Sequence, residues 1–157
     1  MIQRTVHGIQ LQQFCRIGGR LSVPRNLQII AHVQVDGSYS STTREARAAA
    51  ILTPTKSHNT YRHVQGISAE SSTETKWAAI SLGLEFAMTH NEEVIAIEND
   101  CLSVVGALLM RDGPLRHEYA RYWRNRIIGS ANQCQWVGLR WIPRQMNHAD
   151  DLFSANR

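Results

Sequence analysis

Acids close two separate apolar runs of this chain, Asp36 after the run from Ile29 to Val35 and Asp100 after Val94 to Ile97 with Glu98-Asn99 between, and further acids open two helical stretches, at Glu74 and at Asp150-Asp151. Strand ends and helix starts are positions from which side chains of distant segments can converge on one point. Converging carboxylates repel one another unless a hard cation lies between them, so such a cluster is expected to hold magnesium through oxygen ligands. The order of the four acid segments points to a metal-dependent nuclease.

The remaining pattern supplies a scaffold for that cluster. The run Ile29, Ile30, Ala31, Val33, Val35 is β-prone and is expected to end in a turn at Asp36-Gly37. Ala46 to Leu52 and the alternating stretch Thr60 to Ile67 read as second and third strands, and three strands in succession favour an antiparallel meander. Ser71, Ser72 and Thr73 are good N-cap residues, and Ala79, Ile80, Gly83, Leu84 and Ala87 recur at helical spacing behind them. Val94 to Ile97 reads as a buried strand, Leu102 to Met110 as a helix and Leu115 to Ile128 as a basic aromatic helix. Gln135 to Ile142 follows as the last strand and Asn147 to Ser154 as a short closing helix.

With 157 residues the chain is expected to form one principal domain over residues 28–157, preceded by a loosely ordered extension over residues 1–27. Arg4, Arg16, Arg20 and Arg25 lie in a leading stretch without Asp or Glu, and setting them aside leaves 13 basic against 13 acidic residues. The cationic extension fits attraction to a polyanion such as nucleic acid, and equally a solvated arm that maintains solubility. No run approaches a membrane span and the first 26 residues lack the apolar centre of a secretory signal, so a cytoplasmic protein that makes no membrane contact is expected. Cys15, Cys101 and Cys134 are far apart and suggest neither a disulfide framework nor a zinc site.

The order of three strands, helix, strand, helices, strand and helix, with acids at these places, resembles the ribonuclease H family, closest to its plant and retroelement domains. The residues carrying the resemblance are Val35-Asp36-Gly37-Ser38, the Ser-Ser-Thr-Glu segment before Ala78 to Leu84, Ile97-Glu98-Asn99-Asp100, and Trp141-Ile142-Pro143-Arg144-Gln145-Met146-Asn147-His148-Ala149-Asp150-Asp151. The resemblance implies an α/β fold with a five-stranded mixed sheet, three antiparallel strands then parallel ones, and helices on both faces. It implies endonucleolytic hydrolysis of the RNA strand of RNA–DNA hybrids by two magnesium ions, for which manganese can substitute, in a protein expected to be monomeric. Asp36, Glu74, Asp100 and Asp151 would then be the catalytic and metal-binding residues, with Asp150 aimed elsewhere by its helical phase.

The second carboxylate departs from the family's register. Counting back from Ala79, Ile80, Gly83 and Leu84 places Lys76 in the slot, whereas Glu74 lies two residues earlier and is turned by about 200° on an ideal helix. Three readings stay open: Glu74 is the ligand through a shifted helix start, Lys76 occupies the slot, or Glu70 reaches in from the preceding loop. With Lys76 in place the alternative function is a catalytically impaired module that binds hybrid or structured RNA. Trp141 stands where many relatives carry a mobile histidine, and His148 is a nearby substitute. Ser38, Ser72, Thr73, Arg121 and Arg124 are candidate substrate contacts, since hybrids are recognised through 2′-hydroxyls and phosphates. Turn, cap and core roles compete for each of them.

Overall fold

In a computed structural model of the chain, residues 5–6, 9–10, 13–24, 30–55, 59–110 and 113–154 are described. Arg4, Arg25 and Ile29 lie outside the described residues. Two short strands, β1 (Thr5–Val6) and β2 (Ile9–Gln10), pair with each other. The main sheet has six strands: β3 (Cys15–Gly18), β4 (Ala31–Tyr39), β5 (Ala46–Thr53), β6 (Tyr61–Ile67), β7 (Val94–Asn99) and β8 (Trp136–Trp141), in the order β3-β8-β7-β4-β5-β6. The expected meander β4-β5-β6 is antiparallel, and β7 joins β4, and β8 joins β7, in parallel.

The sixth strand comes from the stretch expected to be loosely ordered. β3 pairs antiparallel with β8, and two apolar residues there supply the reason: Ile17 is buried in the main core and Phe14 in a second cluster with Ile30, Val94, Ala96 and Trp136. β4 also differs from expectation, running through Asp36-Gly37 to Tyr39 in register with β5, with Gly37 opposite Ala48. Gly37 serves close approach and not a turn. A Cβ there would stand 2.3 Å from the Thr75 carbonyl oxygen, so only glycine lets the start of the first helix lie this close to the strand.

That helix, α1 (Ser72–Thr89), begins where Ser71 caps it, the serine Oγ accepting from the Glu74 N–H at 3.1 Å. Its apolar face covers β4 and β5, with Ile80, Leu84 and Ala87 fully buried among Val33, Val35 and Leu52. Gly83 repeats the close approach farther along, since a Cβ there would meet Val35 Cγ1 at 2.2 Å. α2 (Leu102–Leu109) and α3 (Glu118–Ala131) complete this layer through Val104, Val105, Leu108, Ala120 and Ile127. The opposite face is closed at β5 by a 3-10 turn (His148–Asp150) and α4 (Asp151–Ser154), where Ala149 and Phe153 pack on Ala49. No helix among the described residues is long and apolar enough to cross a membrane.

Candidate active site

Successive side chains alternate across a strand, so Asp36 points away from the Val33–Val35 core face and stands beside the helix start that Gly37 admits. There it meets Lys76. The ammonium donates to Asp36 Oδ1 at 2.7 Å and to the Gly37 carbonyl at 2.7 Å. Asp36 is only 2% exposed, while the Lys76 side chain keeps 21% of its surface and lines an open cleft of about 400 Å³. Gly37, Ser38, Tyr39, Ser72, Asp100, Cys101, Arg144 and Asp150 complete the wall.

Two buried asparagines bring the other acids to this cleft. Asn99 Nδ2 and Asn147 Nδ2 both donate to the Val35 carbonyl, at 3.2 and 2.9 Å. Their Oδ1 atoms accept from Cys101 N at 2.8 Å and Ala149 N at 3.2 Å, which fixes the chain just beyond Asp100 and just before Asp150. A single carbonyl, adjacent to Asp36, thus sets the position of all three acid-bearing segments. Gln34 adds two bonds to the last of them, donating to the Met146 carbonyl at 3.2 Å and accepting from His148 N at 3.0 Å.

Burial pushes the Asp36 carboxyl up, against the attraction and hydrogen bond of Lys76, and the neighbouring Asp100 and Asp150 push it further, to about 6. Two further acids thus bear on Asp36, Asp100 by repulsion and Asp150 by a hydrogen bond that favours the protonated form. The cation that meets it belongs to the chain. Magnesium, which the family resemblance implies, does not fit these residues: the position beside Asp36 holds an ammonium, and among the described residues no group of three His, Cys, Asp or Glu side chains could hold a metal ion. A divalent ion close to that ammonium would be repelled by several kcal/mol, on the order of the Coulomb energy at a few Å.

The other candidates divide. Ser38 and Ser72 line the cleft; Thr73 is exposed on the first turn of α1 and is not among the residues lining it. Glu74 faces α3 instead, accepting from Trp123 Nε1 at 3.0 Å and from Glu70 N at 3.0 Å, as its angular separation from Lys76 requires. Glu70 is exposed in the loop before α1. Asp151, the last ligand that the resemblance implies, is outside the cleft with its side chain 78% exposed beside His148, and Asp150 is the acid of this turn that lines the cleft. The phase explains this: Ala149 and Phe153 are the buried pair of this turn, which rotates Asp151 to the far side and leaves Asp150 at the flank. The Ala149 and Phe153 apolar pair was the available signal. Arg121 and Arg124 donate to the carbonyls of Leu115 and Gly113 and so brace the loop before α3. Arg144 and Tyr39, which sequence reasoning did not single out, line the cleft. Trp141, which stands where the resemblance implies a histidine, donates its Nε1 to the Asp100 carbonyl at 3.0 Å, so its ring is tied to an acid-bearing loop.

Among solved structures, the fold is similar to ribonuclease H1 from the halophilic archaeon Halobacterium salinarum, at 18% identity and a TM-score of 0.69 over 78% of this chain and 92% of that one. It is similar to the N-terminal ribonuclease H domain of a Mycobacterium tuberculosis protein, at 18% identity and a TM-score of 0.69 over 81% and 95%. A third, LC11 ribonuclease H1 in complex with an RNA/DNA hybrid, matches at 16% identity and a TM-score of 0.64 over 78% and 92%. No curated protein matches the chain. The model of the reverse transcriptase-like family matches residues 34–156, the stretch that carries every acid of the cleft, and the chain accordingly belongs to that family, with a fold like that of the ribonuclease H structures.

Proposed function

We propose that this chain is a ribonuclease H-type module that binds RNA–DNA hybrid at the Asp36 cleft, with hydrolysis of the RNA strand held down by Lys76. The observation that carries the reading is the 2.7 Å contact between Lys76 Nζ and Asp36 Oδ1, because it fills the place of the second carboxylate with the wrong sign of charge for a cation site. Support for hybrid as the partner comes from the fold, from a structural neighbour solved with an RNA/DNA hybrid, and from hydroxyls of Ser38 and Ser72 with Arg144 on the cleft wall. Hydroxyl donors and acceptors suit the 2′-OH groups of an RNA strand, and arginine suits phosphate.

Magnesium-dependent endonucleolytic cleavage is the second reading. It is favoured by the convergence of Asp100 and Asp150 on Asp36, which is more acid than an ion pair with Lys76 needs. Incubating labelled RNA–DNA hybrid with the protein, with magnesium, with manganese and with chelator, separates the two. Retarded but intact hybrid supports the first reading, and metal-dependent RNA fragments replace it with the second. Equal affinity for hybrid, double-stranded DNA and double-stranded RNA would remove hybrid as the intended partner.

A further inference from the structure

We propose that the Lys76 ammonium is a resident cation that holds a backbone phosphate of the bound nucleic acid, so that the cleft takes up hybrid without a divalent ion; this rests on the hybrid-binding reading above. An ammonium carries three N–H donors. Two are accounted for by Asp36 Oδ1 and the Gly37 carbonyl, and the side chain lines the open cleft, which leaves the third for a ligand oxygen. An ammonium bonded to a protein carboxylate can donate its remaining N–H to a phosphate oxygen and so join the two anions, as a cation placed between them would.

The surroundings make this contact decisive. Asp100 and Asp150 line the same cleft and repel a phosphate, while Arg144 stands 3.9 Å from Asp150 and offsets part of that charge. Lys76 and Arg144 are the cations of the cleft wall, and Lys76 is the one bonded to Asp36. The fold sets where it stands: the helix start is pinned by the Ser71 cap and pressed onto β4 at Gly37, and the ammonium is held by its bonds to Asp36 Oδ1 and the Gly37 carbonyl.

Fluorescence anisotropy with a labelled hybrid, in chelator and in magnesium at matched ionic strength, tests the contact. Wild-type affinity is expected to agree within about twofold between the two buffers, and Lys76→Gln is expected to lose about tenfold in chelator. Lys76→Arg, which keeps the charge, is expected to retain chelator-resistant binding, and circular dichroism establishes that each variant is folded. Manganese titration followed by electron paramagnetic resonance, without nucleic acid, is expected to find no saturable site in the wild type and to find one in Lys76→Glu. Magnesium-dependent binding by the wild type, unchanged binding by folded Lys76→Gln, or a saturable manganese site in the wild type would each overturn the proposal while leaving hybrid binding intact. Absence of wild-type binding in both buffers would instead remove the functional reading, and the phosphate contact with it.

Discussion

Asp36 and Glu98 are buried carboxylates on adjacent strands of one sheet, 2% and 3% exposed, and their surroundings are opposite. Burial alone would raise Glu98, but the hydrogen bond and charge of His32, with bonds from Gln34 and Arg140, outweigh it and hold the carboxyl down at about 2. Burial pushes Asp36 up, one lysine offsets only part of that and two further acids reinforce it, so its carboxyl stands at about 6. Glu98 has a surplus of donors, so its charge is a fixed part of the fold. Asp36 has a surplus of acid neighbours, and the charge it carries is stabilised only in part by the chain itself. A buried carboxylate whose proton affinity is raised in this way marks a candidate functional site, and a paired one such as Glu98 does not.

The largest effect separating the two is expected on stability. Glu98→Gln leaves His32 and Arg140 half-buried without their carboxylate and is expected to cost about 3–5 kcal/mol, the usual penalty for removing one partner of a buried ion pair. Asp36→Asn removes a charge the fold disfavours and keeps an oxygen for Lys76, so at pH 7 it is expected to leave stability unchanged or to raise it by about 1 kcal/mol. Urea unfolding of both variants measures this. A loss of comparable size in each would make Asp36 a structural carboxylate like Glu98.

The pH dependence should run in opposite senses for the same reason. Asp36 binds its proton more tightly in the folded chain than in the unfolded one. Its contribution to stability is therefore present below the ordinary value of 3.8 and is lost as pH rises through about 6, a change on the order of 3 kcal/mol. Glu98 binds its proton less tightly when folded, so its contribution is present above 4.5 and is lost as pH falls toward 2. Comparing wild type with Asp36→Asn between pH 4 and 7 isolates the first: the difference in unfolding free energy should shift against the wild type as pH rises. A pH-independent difference would remove the raised Asp36 carboxyl.

What was legible in the sequence follows from the range of the interactions involved. The β-prone apolar run to Val35 and the helical spacing of Ala79, Ile80, Gly83 and Leu84 report burial directly, and the strand and helix they imply are present with small shifts of their ends. The mutual rotation of Lys76 and Glu74 was legible too, because it depends only on helix geometry. Which of them meets Asp36 was not, since that depends on how closely α1 approaches β4. Gly37 carries that information, but a glycine after an aspartate reads equally as a turn. Which of Asp150 and Asp151 lines the cleft was not legible, because the segment is a 3-10 turn of three residues where one residue of phase decides it. β3 was lost because Phe14 and Ile17 are only two apolar anchors in a glycine-bearing stretch, and their partner β8 lies more than a hundred residues away.

The asparagine anchors extend the contrast from the acids to their supports. Asn147→Ala leaves the Val35 carbonyl with one amide donor and frees Ala149 N, and a loss of about 1–3 kcal/mol is expected. Hydrogen exchange should locate the change: the Ala149 amide is expected to exchange faster while β5 and β6 stay protected. Uniform loss of protection would mean that Asn147 supports the whole fold and not the Asp150 segment.

The smallest effect concerns Glu74, the carboxylate that sequence alone kept in contention for the cleft. Its oxygens accept from Trp123 Nε1 and Glu70 N, so Glu74→Gln keeps an acceptor for one of them and lengthens neither the helix nor the loop. A loss of about 0.5–1.5 kcal/mol is expected, that of one or two hydrogen bonds at a half-exposed site, with hybrid affinity unchanged. Lys76 is two residues farther along the same helix and bears on Asp36, so Lys76→Gln should do the reverse, weakening hybrid binding with little change in stability beyond its ion pair. If Glu74→Gln weakened hybrid binding as much as Lys76→Gln, the helix would have to start in a different phase in solution, one that turns Glu74 toward Asp36. The Ser71 cap and the close contact at Gly37 argue against that phase, because both fix the rotation of the first turn from opposite sides.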